Sequence, residues 1–307
     1  MAVPATPTDA PPDRLFRGFL GSVVLLGGLN LAGCGGSPAQ PTPTPQPQIP
    51  IVVPAPTPTP PPAPNTAPVV TGLTAQGSRR HEPANLADAG EEIMVTAAVT
   101  DAETAVDRLT FEWSSPAGSF TGTGASVRWR APASVPAPLV VSLQLRVVDG
   151  DQRVERAVAV SVHDHGREVG DMATQFLRDF SDSAVAPATV MRNFLPDCYG
   201  TREERQQVED NRTNFTIVSS VVRPAAVAVD FDGICPYLTR PGDACAVNQV
   251  RWESRKRNGE LEVVVGDDQI AAVYRQDRWW LCDSSFDGTK VSGTGDFYHL
   301  LTRGSSR

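Results

Sequence analysis

The residues of this 307-residue chain whose types and spacing could do chemistry are few, and they begin with sulfur. Of five cysteines, Cys34 stands alone between an apolar run and a proline-rich tract, whereas Cys198, Cys235, Cys245 and Cys282 fall in the C-terminal third. No CxxC occurs among these four and no histidine lies close to them, which disfavours zinc and favours disulfides, with three connectivities open to four cysteines. Oxygen ligands come next. Asp101 and Glu103, with Asp107 nearby, and Asp149 and Asp151 form two acidic clusters of the kind that suits calcium, which takes six to eight oxygens; Asp and Gly also simply make turns. His163 and His165 would share one side of a strand, yet two ligands rarely suffice for a metal, so a solvated hinge is expected there. No set of carboxylate base and neutral donors stands out, and no catalytic residue is assigned.

The elements that must position these groups start with the segment before Cys34. Arg14 and Arg17 precede an apolar stretch, Gly18–Leu31, and small residues follow, the order of a secretory signal. At about 14 residues the stretch is too short to cross a bilayer as a helix, which takes roughly 20. Leu31-Ala32-Gly33-Cys34 then resembles the lipobox of bacterial lipoproteins. The resemblance implies a thioether-linked diacylglycerol on Cys34, cleavage before it and acylation of the new amino terminus. Each buried methylene contributes roughly 0.8 kcal/mol, so several chains would hold the protein at a membrane. The location implied is a bacterial cell envelope, anchored to a membrane facing the periplasm or the exterior. Gly35 is not the aspartate that favours inner-membrane retention in some lipoproteins.

From Ser37 to Pro68 the chain is dominated by Pro, Thr, Ala and Gln, a composition that prefers polyproline II and makes a spacer. The net charge of -8 argues against nucleic acid as a partner. The composition beyond the tether, 40% hydrophobic and 20% charged over the whole chain, supplies material for two domains.

Residues 69–163 read as short alternating strands broken by turns. Ile93, Val95, Ala97 and Val99 share one parity, Leu109, Phe111 and Trp113 another; Val140, Ser142 and Gln144 follow, then a run from Val154 to Val162. Such alternation indicates an all-β sandwich, with Trp113 as its expected central aromatic. Asn65-Thr66-Ala67-Pro68, Val99-Thr100-Asp101-Ala102-Glu103 and Val147-Val148-Asp149-Gly150-Asp151 resemble the polycystic-kidney-disease and cadherin-like branch of immunoglobulin-like domains. In a sandwich of this kind the two acidic clusters would meet at one end.

After the hinge, expected at 164–168, Val169, Met172, Ala173, Phe176, Leu177 and Phe180 make a single apolar helical stripe. A second helical segment is expected around Thr189–Leu195. Thr201-Arg202-Glu203-Glu204 has the capping-box form that starts a third, which should lie on the surface because Val208 is almost its sole apolar residue. Strands follow at Phe215–Val222 and Ala226–Ile234, around Trp252, and from Leu261. Asn258-Gly259 and Gly266-Asp267-Asp268 are read as turns. Asp230 and Asp232 alternate with Val229 and Phe231 and should face out if those are core. Helices followed by an antiparallel sheet mean α+β. The order, ending in Tyr274-Arg275-Gln276-Asp277-Arg278-Trp279-Trp280-Leu281, resembles the nuclear-transport-factor-2-like, or cystatin-like, cone fold. That resemblance implies a pocket, for which Trp252, Tyr274 and Trp280 are the candidate lining. Cys235 and Cys245 should bridge neighbouring strands, leaving Cys198 for Cys282.

The fold class expected is therefore multidomain: an immunoglobulin-like sandwich followed by an α+β domain of N-terminal helices on a curved antiparallel sheet. The parts are a signal peptide (1–33), a lipidated tether (34–68), the sandwich (69–163), the hinge, the α+β domain (169–290) and a tail (291–307). The function expected is binding, adhesion or scaffolding in the envelope, toward a protein, glycan or small molecule. The alternative is an exported isomerase- or dehydratase-like enzyme using the cone.

Overall fold

Alternation built for two faces organises the first half of the chain. The computed structural model describes residues 64–235 and 240–302; the signal sequence, Cys34 and most of the tether lie outside them. Strands hold 52% of the described residues and helices 18%, so this is mainly a β protein with several sheets. One four-stranded sheet has the order β1 (Val69–Gln76), β3 (Glu92–Thr100), β6 (Ser126–Arg130), β5 (Ser119–Thr121). A second has the order β2 (Leu86–Asp88), β8 (Gln152–His163), β7 (Leu139–Asp149), β4 (Thr110–Ser114), with β2 and β8 parallel and its other pairs antiparallel. Ile93, Val95, Val127 and Trp129 of the first share one apolar cluster with Val141, Leu143, Val160 and Val162 of the second. The two sheets therefore cover each other's apolar faces.

Two expectations shift here. Trp113 is half-buried, and the central aromatic is Trp129, at 0% exposure. Trp129 sits on β6, a strand whose Val127 and Trp129 alternate with Ser126, Arg128 and Arg130. In β7 the inward residues are Val141, Leu143, Leu145 and Val147, while Val140 is exposed. The expected parity was off by one residue, and a one-residue slip turns every side chain to the other face.

The second half wraps one sheet around one helix. α1 (His165–Ser181) buries Val169, Ala173, Phe176, Leu177 and Phe180, the stripe expected from the sequence. α2 is a single turn, Pro187–Val190, shorter than expected, and α3 spans Thr201–Asn214. The antiparallel sheet runs β10 (Ala226–Cys235), β11 (Arg240–Lys256), β12 (Leu261–Arg275), β13 (Arg278–Gly293), and β9 (Phe215–Val222) pairs with the far stretch of β11. Phe231 is buried while Asp230 and Asp232 are exposed, as the alternation required. Both disulfides have the expected pairing: Cys198–Cys282 with Cα atoms 5.3 Å apart and Cys235–Cys245 at 5.5 Å.

Four features depart from the sequence reading. The hinge is absent: β8 ends at His163, α1 begins at His165, and the rings of both histidines are buried. No turn interrupts β12 at Gly266–Asp268, because Asp267 pairs with Asp287 and Asp268 with Phe286 across the ladder. Gly266 and Gly288 allow this continuity, since a Cβ on either would overlap the other strand. The described part of the C-terminal tail, to residue 302, is structured: β13 reaches Gly293, and α4 (Phe297–Leu301) buries Phe297, Leu300 and Leu301 in the same core as α1. Finally, Leu86 of β2, in the first half, belongs to that core.

Candidate functional site

α3 carries almost no apolar residue, yet Thr201, Glu204, Val208 and Asn211 are all buried. Their spacing of three and four residues is that of a helix stripe, written in polar side chains, and it faces the sheet. The helix starts after Gly200, not with a capping box: the Thr201 hydroxyl donates to the Leu195 carbonyl, and the Glu204 carboxylate turns away to accept from the Ser284 amide at 3.2 Å. Gly200 has a specific reason to be glycine, because a Cβ there would collide with the Asp283 carboxylate. The Cys198–Cys282 bridge pins the start of α3 to β13 one residue before Asp283.

Between α3, β13 and α4 lies a cleft of about 280 Å³, with Glu203, Glu204, Arg240 and Asp283 among its walls. Leu300 and Leu301 form an apolar side. Gln207 holds that side in place by donating to the carbonyls of both leucines, at 3.0 and 3.2 Å. Glu204 is only 4% exposed, as is Asp268, which β12 carries in from the opposite strand. Glu204 Oε2 and Asp268 Oδ1 are buried and accept no hydrogen bond. Such atoms normally find partners, and burying a carboxylate without them is costly.

The electrostatics follow from that burial. Glu204 is raised well above the usual carboxylate range, first by desolvation and then by the charges of Asp268 and Asp283. Burial, with Asp283 adding to it, pushes Asp268 up to about 7. Asp283 rises to about 6 for the same reason, although Arg240 opposes the shift with its guanidinium 3.7 Å away. Arg240 is itself stacked over the Tyr199 ring, 5.1 Å from its centroid. The chemistry available is that of carboxyl groups poised between their neutral and charged forms near neutral pH.

A larger groove, of about 540 Å³, lies on the outer face of β4, β7 and β8. Its charged groups satisfy one another: Arg146 pairs with Glu155 at 2.9 Å and with Glu112 at 3.4 Å, all exposed. It therefore presents no unmet chemistry.

The residues singled out from the sequence fall elsewhere. The acidic loops do meet, since the Thr104 hydroxyl donates to Asp149 at 3.0 Å, but the carboxylates bond within the loops themselves, and Asp101 Oδ2 is left buried without a partner. Asp101 accepts from the Glu103 and Thr104 amides, and Glu103 accepts from Thr66. No group of three His, Cys, Asp or Glu among the described residues, Asp151 included, is arranged to hold a metal ion. The aromatic trio lines no common pocket. Trp252 is core at 0% exposure, donating to the Ser181 hydroxyl; Trp280 lies on the other face of the sheet with Arg278 stacked 3.7 Å above it. Tyr274 belongs to a buried seam, its hydroxyl 3.1 Å from His163 Nε2. His163 Nδ1 lies 2.9 Å from Glu168, and Trp279 donates to His165 Nδ1 at 3.0 Å.

The cleft was missed for a reason. Glu204 was read as a cap and Asp268 as a turn residue, both local roles. The one available signal was the polar stripe at helical spacing on α3, which an apolar count ignores.

No family model matches this chain, and no curated protein does. Among solved structures it is similar to a chimeric titin Z1Z2 functionalized with a KLER exogenous peptide from decorin, at 10% identity and a TM-score of 0.23, over 62% of this chain and 91% of that one. A likeness of that score assigns neither fold nor function.

Proposed function

We propose that this chain is an exported lipoprotein, held at an envelope membrane through lipid on Cys34, whose folded part is a ligand-binding module. On this reading residues 69–163 are an immunoglobulin-like sandwich that spaces the C-terminal half from the membrane, beyond the proline-rich tether. The C-terminal half is a nuclear-transport-factor-2-like cone, and the ligand enters the cleft between α3, β13 and α4. The observation that carries the binding role is the buried, unpartnered carboxylate oxygen of Glu204 on the cleft wall, coupled by charge to a second such oxygen on Asp268. A folded chain that leaves two such groups unsatisfied gives up stability for something the pair must meet.

Two experiments test the two parts. Membrane fractionation with mass analysis of the mature amino terminus should find acyl chains on Cys34, and Cys34→Ala should release or misprocess the protein; a soluble wild-type chain without lipid sinks the anchor. Native mass spectrometry of the full chain taken from the envelope should show a small adduct that Glu204→Ala loses. An adduct indifferent to that change removes the cleft from the proposal.

A second reading, an isomerase- or dehydratase-like enzyme, draws on one observation: Asp268 is pushed to about 7, where a carboxyl can both take and return a proton. It requires turnover that Asp268→Asn abolishes without loss of ligand binding.

A further inference from the structure

We infer that the cleft binds an organic cation, an ammonium or guanidinium group on a short alkyl chain, with Glu204 as its acceptor, Asp268 acting on Glu204 through its charge, and Leu300 and Leu301 against the chain. The inference rests on the binding reading above and names its ligand class.

The cleft is a set of acceptors whose nearby donors are already used. The Ser284 amide is taken by Glu204 Oε1, Gln206 donates to Asp210 at 3.0 Å, and Gln207 donates to the α4 carbonyls. What remains without a partner is Glu204 Oε2 on the cleft wall and, coupled to it by charge, Asp268 Oδ1, each on a side chain more than nine-tenths buried. An ionised carboxylate only accepts, so the missing partner must bring N–H or O–H groups. Charge then selects among donors. Glu203, Glu204, Asp210 and Asp283 line the cleft, against Arg240 as the one lining cation among the described residues, and Arg240 is engaged by Asp283 and the Tyr199 ring. A cation would relieve the mutual repulsion of Glu204, Asp268 and Asp283, which an uncharged alcohol would not.

Size and surface narrow the class. A volume of about 280 Å³ lies at the low end for ligand sites, which suits a small amine. The apolar wall of Leu300 and Leu301 suits methylenes. The absence of a three-residue metal-binding arrangement among the described residues points away from a bare ion.

Cation binding must also release protons. Burial and neighbouring charges favour the neutral form of these carboxyls, and a cation favours the charged one. The charged group facing both Glu204 and Asp268 is Asp283 from β13; Asp283 is in turn faced by Glu203 from α3, which reinforces the coupling, and by Arg240 from β11, which weakens it.

The test is isothermal titration of the full chain with putrescine and agmatine, and in parallel with butane-1,4-diol and with Ca²⁺, at pH 6 and pH 8. One of the two amines should bind at least tenfold more tightly at pH 8 than at pH 6, with proton release. Glu204→Gln and Asp268→Asn should each weaken it at least tenfold. Both variants should melt no lower than wild type at pH 8, and Glu112→Gln in the outer groove should bind normally. Equal or tighter binding of the diol or of Ca²⁺, lost in Glu204→Gln, overturns the ligand class and leaves the cleft as a binding site. Amine binding that is indifferent to pH overturns the class likewise. If no probe binds, or if binding survives both substitutions, the inference and the binding reading fall together.

Discussion

Two buried polar regions of the C-terminal half make a useful contrast: the histidine seam beside β8 and the carboxylate cleft under α3. In the seam, polar groups are taken out of water in complementary sets. Glu168, His163 and Tyr274 form a chain of contacts at 2.9 and 3.1 Å, and Trp279 faces His165 Nδ1. The His165 amide donates to Asp88, and Arg79 answers Glu91 at 2.6 Å. Tension remains here too, as Glu82, Asp88 and Glu91 all meet Arg79, Glu82 Oε1 and His165 Nε2 are buried without a hydrogen bond, and burial with Glu91 pushes Glu82 up to about 7, but these elements come from both halves of the chain and the network joins them. In the cleft, three groups of one sign converge with one guanidinium between them. The contrast teaches that burial alone does not mark a site. A buried acid cluster that joins two elements fixes structure, while a buried, unpartnered acid on a cleft wall leaves a role for a ligand.

The largest effect should come from unpinning the cleft. Cys198→Ser with Cys282→Ser removes a bridge spanning 84 residues, worth about 4 kcal/mol in the chain-entropy model, against about 3 kcal/mol for the ten-residue Cys235–Cys245 loop. Chemical denaturation of the two double variants would rank them, and equal losses would break the claim that the longer bridge organises the site.

On the seam side, His163→Ala strands the Tyr274 hydroxyl and the Glu168 carboxylate together, and should cost about 3 kcal/mol. Tyr274→Phe removes one hydroxyl and should cost about 1 kcal/mol. If His163→Ala denatures like wild type, the seam does not hold the halves together.

One group of each region, His165 in the seam and Asp268 in the cleft, should respond to pH with opposite sign. Burial, His163 and Arg79 lower His165 to about 3. The unfolded chain therefore takes up a proton there that the folded chain refuses, and this group erodes stability as pH falls from about 6.5 toward 3. Asp268 behaves the other way. With a pKa raised from 3.8 to about 7, it favours the folded state below pH 4, an advantage lost as pH rises through 7. His165→Asn, which keeps an acceptor for Trp279, should flatten the acid limb of the melting-temperature profile. Asp268→Asn should flatten the alkaline limb, raising stability at pH 8 by about 1–3 kcal/mol and little at pH 5. Parallel profiles for wild type and Asp268→Asn would mean that the carboxyl is solvated and the contrast is false.

Much of the architecture was legible before any coordinates. The α1 stripe was one face of a helix, and a face that apolar has to be covered whatever covers it. The strand pairs around Asn258-Gly259 and Gln276-Asp277 were fixed by local turn chemistry, and Gly259, Gln276 and Asp277 do have positive φ. The disulfides followed because Cys235 and Cys245 flank one short connection between strands expected to be neighbours, which left Cys198 for Cys282. The signals that failed were those with two local meanings. Gly266-Asp267-Asp268 suits a turn, and Val140 and Val141 suit either face of β7.

What the sequence determined by itself was thus the set of elements whose pattern allows one burial, together with the cysteine pairing they imply. What only the tertiary structure decided was the fate of the ambiguous polar residues. Glu204 could cap a helix, Asp268 could make a turn, and His163 and His165 could stand in water; each of these is a complete local solution. The choice depended on what lies opposite. Gly266 against Gly288 let two strands run on together and carried Asp268 inward, Gly200 made room for Asp283, and Tyr274 and Trp279 gave the histidines partners. Local preferences of this kind amount to about 1 kcal/mol, less than the core packing that overrides them, and so the site emerged only from contacts between residues far apart in the chain.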